Sequence, residues 1–154
     1  MEDDPRRNDP RTVAFHETGH GVVAHWLGLK VVSIVIHDGV RPGGQFDGAP
    51  TDDPVLAGKV ALGGPHAEKI YQDRNVGGHF PLYYMGDDDK AWAWKHAQAA
   101  HPGNNAVAGV SQDEWRTEVD ALLRARWDDV ITVALALEQS GSLTGEDIEG
   151  LLGD

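Results

Sequence analysis

Apolar and polar positions alternate along this chain with two different periods, and the switch between them outlines the fold. From Pro10 to Leu27 apolar residues return at helical spacing, with Phe15, Val22 and Trp26 in one stripe and Val23 and Leu27 widening it. Asp9-Pro10 is a helix start, an N-cap followed by proline at the first position, and Gly28 is a stop. Leu29 to His37 is β-branched and reads as a strand. Asp38-Gly39 and Arg41 to Gly44 are turn chemistry, and Gln45 to Gly48 can form a short return strand. Asp52 or Asp53 caps a second helix through Val55, Leu56, Val60 and Leu62. Gly63-Gly64-Pro65 is expected to break or kink it before a helical stretch resumes through Ala67, Ile70 and Tyr71.

Residues 72–86 read as a long loop with glycines and aromatics, a type often functional in a compact domain. Asp87, Asp88 or Asp89 opens a third helix that ends near His101-Pro102-Gly103. Ser111 to Glu114 has the form of a capping box before the longest periodic segment. There Trp115, Val119, Leu122, Leu123, Trp127, Val130, Ile131, Ala134 and Leu137 make one broad apolar face, ended by Ser140-Gly141. Thr144 to Asp147 starts a short last helix carrying Ile148, Leu151 and Leu152. The pattern predicts a mainly α domain over residues 10–154, with one strand or a small β-hairpin after the first helix, preceded by a loose acidic tail, residues 1–9.

Composition narrows the partners. At 154 residues with 40% hydrophobic positions and five tryptophans, the chain suits one domain with a sizeable core. The net charge of −12 argues against a nucleic acid or an anionic membrane surface and leaves neutral or basic polypeptides as easier partners. No apolar run is long enough for a transmembrane helix and no signal-peptide core is present, so a soluble, cytoplasmic protein is expected. With no cysteine there is no disulfide framework, and no thiolate is available to a metal.

The candidate chemistry lies in the first helix, where His16-Glu17-Thr18-Gly19-His20 reads H-E-x-x-H. Residues four apart share a helix face, so both imidazoles can reach one Zn²⁺ ion. Glu17 is placed to act as general base on a metal-bound water without ligating, the arrangement of zinc metalloproteases. Gly19 and Gly21 each cost about 1 kcal/mol in a helix, a cost tolerated where another backbone or a substrate must come close. A catalytic zinc takes a third protein ligand, for which His25, His37, His66, Glu68, His79, Asp87, Asp88, Asp89, His96 and His101 are candidates. Most are ordinary: an isolated histidine is usually a surface or hydrogen-bonded residue, and an acidic run before a helix is usually its cap.

Several segments in order resemble the protease domain of the FtsH-type ATP-dependent zinc metallopeptidases. That family's motif helix is close to HEAGHALVA, and this chain has His16-Glu17-Thr18-Gly19-His20-Gly21-Val22-Val23-Ala24. A strand follows, as Val31 to Ile36 does here, and then a helix with LGGRAAEE, matched by Leu62-Gly63-Gly64-Pro65-His66-Ala67-Glu68. The family's G-A-S-N-D helix start carries alanines four and eight residues past the aspartate, and Asp89 is followed by Ala93 and Ala97. The final L-x-G-x-E-I-x-x-L is similar to Leu143 to Leu151. The resemblance covers nearly everything from Thr12 onward, with Pro65, His66 and the long 72–86 loop as departures. It implies that Asp89 is the third zinc ligand, with Asp88 and Glu68 as competitors and Glu68 otherwise beside the ligands.

The function expected from these residues is a zinc metalloendopeptidase acting on peptides or unfolded polypeptides. His16, His20 and Asp89 are its metal ligands and Glu17 its base, with His79, Tyr83 and Tyr84 as candidate oxyanion or substrate contacts. The strand at 31–36 is a candidate for binding an extended peptide by β-augmentation. No G-x-x-x-x-G-K-[ST] loop occurs, so cleavage by this chain itself is expected to be ATP-independent. Because the family works as rings on an ATPase, a homo-oligomer or a separate ATPase partner stays open. The rival expectations are a catalytically silent zinc-binding regulatory or interaction module of the same fold, and a helical interaction domain in which the motif is coincidental.

Overall fold

The computed structural model describes residues 10–37, 43–49, 51–76 and 87–153. The acidic tail, the Asp9 cap, the turn at 38–42 and the candidate contacts His79, Tyr83 and Tyr84 lie outside them. Six α-helices and three strands are described, in the order α1 (Pro10–Trp26), β1 (Val31–His37), β2 (Gly43–Gly48), α2 (Pro54–Tyr71), α3 (Asp87–Ala100), α4 (Asn105–Ala125), α5 (Trp127–Ser140), β3 (Ser142–Thr144) and α6 (Gly145–Leu152); a π-helical turn, Gln72–Val76, prolongs α2 where the expected 72–86 loop was to begin. The fold is mainly α with a small antiparallel sheet in the order β2-β1-β3. Among the described residues no helix is long and apolar enough to cross a membrane.

Helix α1 is the axis of the domain. Every residue from Thr12 to Ala24 is buried except His16, which is partly exposed. So α1 is enclosed by neighbours on nearly all sides, with α2, α5 and the sheet packed around it. Phe15 is sandwiched between Tyr71 at 4.4 Å and Trp127 at 5.4 Å between ring centroids, joining α1, α2 and α5. A buried hydrogen bond from Gln72 Nε2 to Thr12 Oγ1 ties the end of α2 to the start of α1.

The α1–α2 crossing depends on missing side chains. A Cβ on Gly19 would overlap the Gly63 carbonyl oxygen and lie 2.6 Å from the Ala67 Cβ. Conversely, one on Gly63 would lie 2.6 Å from the Gly19 oxygen. The two glycines let the helix backbones touch, and the backbone whose approach Gly19 permits is that of α2.

Helix α2 is continuous from Pro54 to Tyr71, so the expected break at Gly63-Gly64-Pro65 does not occur. Pro65 denies one intrahelical hydrogen bond, at a cost of about 3 kcal/mol. Everything from Leu62 to Glu68 is buried, however, and packing against α1, α3 and α4 outweighs the loss. Asp53 caps the start, its carboxylate accepting from Val55 N at 2.9 Å.

Two further expectations change. The apolar segment after Ser111 is not one helix: α4 ends at Ala125, and α5 starts at Trp127 after Arg126, whose φ of −119° and ψ of 30° leave the helical region. The turn gives the two halves different partners, since α4 lies on α2 and α3 while α5 lies on α1. Ser111 is accordingly inside α4, bonded to His101 Nε2 at 2.8 Å, and the N-cap is Asn104, which accepts from Val107 N at 3.2 Å. The last helix starts as read, with Thr144 and Asp147 forming a reciprocal capping box.

The sheet extends the expected hairpin by one strand. Ile34, fully buried, pairs with Phe46 on one side and Leu143 on the other. β1 is therefore the middle strand, and the edge beside the first helix belongs to β2. Between Val31 and Ser33 the register with β2 slips by one residue, a bulge at Val32.

Gly63→Ala is expected to destabilise the protein by at least about 2 kcal/mol, because its Cβ meets backbone that cannot swing aside. Gly109→Ala, in α4 with open space around it, is expected to stabilise by about 0.5–1 kcal/mol. Urea unfolding of both variants checks the contrast, and equal effects would remove the close crossing as the reason for Gly63.

Candidate metal centre

α1 presents His16, Glu17 and His20 on adjoining faces, and the ligand-type atoms of all three lie within 4.8 Å of one another. Each imidazole is fixed from behind. His20 Nδ1 lies 2.7 Å from the Val60 carbonyl oxygen of α2 and donates to it. His16 Nδ1 lies 2.8 Å from Glu68 Oε1, also on α2. Both rings are thereby turned so that their Nε2 atoms point to one place, the outer-shell arrangement that metal-ligating histidines use. Gly64 makes room for this: a Cβ there would lie 2.7 Å from His20 Cε1 and closer still to Nε2.

Asp89, in the first turn of α3, meets them. Its Oδ2 is 2.8 Å from His16 Nε2 and 3.3 Å from His20 Nε2, and the two Nε2 atoms are 3.2 Å apart. A tetrahedral zinc with bonds of about 2.0–2.1 Å separates its ligands by about 3.3 Å, so this triangle already has nearly the size of a zinc face. The protonation pattern fits a cation as well. With Nδ1–H directed at the Val60 carbonyl, His20 turns its Nε2 inward beside the Asp89 carboxylate. The proton on His16 Nε2 faces two converging atoms, Asp89 Oδ2 and His20 Nε2. A cation with open coordination sites would satisfy both.

The charges of the metal-free site follow from this geometry. Burial would lower His16, but carboxylates on both ring nitrogens, Asp89 and Glu68, with Glu17 nearby, raise it to about 10. Burial would raise Asp89, but the His16 imidazolium at 2.8 Å, with the His20 ring beside it, holds it well below the usual carboxylate range. Burial pushes Glu17 up, against the two histidines that pull it down, while Asp89 and Glu68 add to the rise.

Of the competitors for the third position, Glu68 is brought to the site but behind His16, with its other oxygen buried and unbonded. An unsatisfied buried carboxylate oxygen is a cost, which the orientation of His16 offsets. The other described histidines are elsewhere. His66 is buried at 3.5 Å from Asp120 of α4, His96 stacks on Trp92, His101 bonds Ser111, and His25 and His37 sit at the ends of α1 and β1. α3 packs on α2 and α4, and its Ala93 and Ala97 are fully buried. Sequence reasoning missed the Val60 carbonyl, which carries no side-chain signal, and the Phe46 ring, 5.7 Å from that of His20. Gly44 lies against Glu17 and had been taken only as a turn residue.

No family model matches this chain, and no curated protein matches it.

Loss of the side chain that completes the triangle should matter most. Asp89→Ala is expected to weaken zinc binding by more than about 100-fold, Glu68→Gln by about 10- to 100-fold, and Asp87→Ala hardly at all. Competition titrations with a chromophoric chelator read these out, and equal losses for Asp87→Ala and Asp89→Ala would remove Asp89 from the site.

The metal-free protein should also show the His16 charge. Because its folded pKa lies near 10, above the ordinary histidine value of 6.5, its stabilising contribution is full below pH 6.5 and lost as pH rises through about 10. Asp89 acts oppositely: its contribution is present above the ordinary aspartate value of 3.8 and lost as pH falls through its lowered value. Urea unfolding across pH in chelator should show the alkaline loss in the parent and not in His16→Gln.

Proposed function

We propose that this chain is a zinc metallopeptidase, resembling the protease domain of the FtsH-type enzymes, that cleaves flexible or unfolded polypeptides. The observation that carries this is the convergence of His16 Nε2, His20 Nε2 and Asp89 Oδ2 within 3.3 Å of one another, with the Glu17 carboxylate beside the two histidines. Two neutral imidazoles and one carboxylate are a ligand set of catalytic zinc, leaving a fourth position for water or substrate. When bound, zinc supplies Lewis acidity, acidifying water and polarising the peptide carbonyl.

The chain's own residues do the rest. Glu17, whose burial pushes its carboxyl up from the usual range, takes a proton from the attacking water on its carboxylate. It then delivers that proton to the leaving amine nitrogen, so the carboxylate is restored. Glu68 and Val60 hold the histidine rings in orientation. β1 cannot take a peptide, because both of its edges are paired. The available strand is β2: among the described residues nothing pairs with its outer edge, and it runs past Glu17 at Gly44. An extended peptide added along β2 would bring its carbonyls past the base. The acidic chain, at −12, favours neutral or basic segments as substrates.

Casein is expected to be cleaved without ATP while tightly folded proteins stay intact. Glu17→Gln should keep its zinc and lose at least about 100-fold in turnover, since it preserves shape and removes the base. Cleavage that persists in Glu17→Gln or in chelator would contradict the mechanism. Zinc bound with no cleavage across a broad peptide library would favour a silent zinc-binding module instead.

A further inference from the structure

β2 carries Gly44, Phe46 and Gly48 on alternate positions, which in a strand share one face. That face meets the site. The Phe46 ring lies 5.7 Å from the His20 ring, and a Cβ on Gly48 would be 2.7 Å from Phe46 Cζ, so the ring lies over that glycine. Gly44 is opposite Ile36 in the ladder and lies directly against Glu17. A Cβ there would be 2.5 Å from Glu17 Cγ, 2.8 Å from Glu17 Oε2 and 2.9 Å from the Val35 carbonyl oxygen. Glycine inside a strand weakens it and marks a place where something must come close. Here the close neighbour is the side chain assigned as general base.

We propose that Gly44 is a positioning residue for Glu17, an inference that rests on the peptidase reading above. Among the described residues no hydrogen bond holds the Glu17 carboxylate, so packing sets its position. On one side is its own helix, and on the other the bare backbone of β2. Any side chain at position 44 displaces the Glu17 methylenes and with them the carboxylate. The proposed zinc ligands have anchors of their own, the Val60 carbonyl for His20 and Glu68 for His16, both on α2. The strand edge offered to substrate and the seat of the base are thus the same few atoms, and this fixes where along a bound peptide the water is activated.

The test is a double-mutant cycle of Gly44→Ala with Glu17→Ala in zinc-loaded protein, read by melting temperature, with kcat and KM for the Gly44→Ala single variant on a fluorogenic casein-derived peptide. Gly44→Ala is expected to bind one zinc, keep KM within about two-fold and lose about 100-fold in kcat, the effect of a base moved by an ångström. Its loss of melting temperature should shrink when Glu17 is alanine. Should Gly44→Ala fail to fold, a folded Gly44→Ala/Glu17→Ala protein supports the proposal. A double variant that also fails assigns the glycine to the Val35 contact and overturns it. An unchanged kcat, or the same melting loss in both backgrounds, overturns it too. A parent protein without turnover would sink the peptidase reading, and the melting cycle would still decide whether Gly44 seats Glu17.

Discussion

The candidate site exists because two helix backbones touch. At Gly19 and Gly63 there is no room for a Cβ, so α2 comes close enough for its own groups to serve α1. The Val60 carbonyl and the Glu68 carboxylate then reach the far nitrogens of His20 and His16. With bulkier residues at the crossing the histidines would keep their place on one helix face but lose the partners that orient them. Four of the five glycines in α1 and α2, Gly19, Gly21, Gly63 and Gly64, lie about the crossing, and each weakens its helix by about 1 kcal/mol. Three of them secure a close approach, Gly19 and Gly63 to the opposite backbone and Gly64 to the His20 ring, while Gly21 lies under Ile34. Helix propensity is given up where the site is built.

Once the rings are oriented, the electrostatics follow. Two carboxylates converge on one imidazole in a largely buried space, so the protein holds a proton at the place proposed for a metal. The proton keeps the acidic groups from repelling one another, and a cation would exchange with it. This links the stability of the metal-free fold to the ligand set, because the same atoms carry both.

Much of this was legible in the sequence. α1, with its H-E-x-x-H motif, was readable from helical spacing, and β1 from its β-branched run. The start of α3 at the Asp87 run and the capping box at Thr144 were local signals that the structure keeps. Other features depend on tertiary contacts that local rules do not contain. Pro65 reads as a breaker until the helix around it is seen to be buried. The α4–α5 turn at Arg126 is invisible in a stripe that stays apolar on both sides. β3 is three residues long and is a strand because β1 has a free edge there. For the site, the residue-level reading left the third ligand open, and only the resemblance singled out Asp89. The meeting of Asp89 with both histidines is a fact of three-dimensional placement. The role of Gly44 has no side chain to announce it.

The most direct measurement of the central claim is zinc-edge X-ray absorption on protein loaded with one equivalent of zinc. The account predicts four nitrogen or oxygen ligands at about 2.0–2.1 Å, two of them with the outer-shell scattering of imidazole, and loss of both imidazole signatures in a His16→Ala/His20→Ala variant. A spectrum with one imidazole or none, or one unchanged by that double substitution, would contradict it.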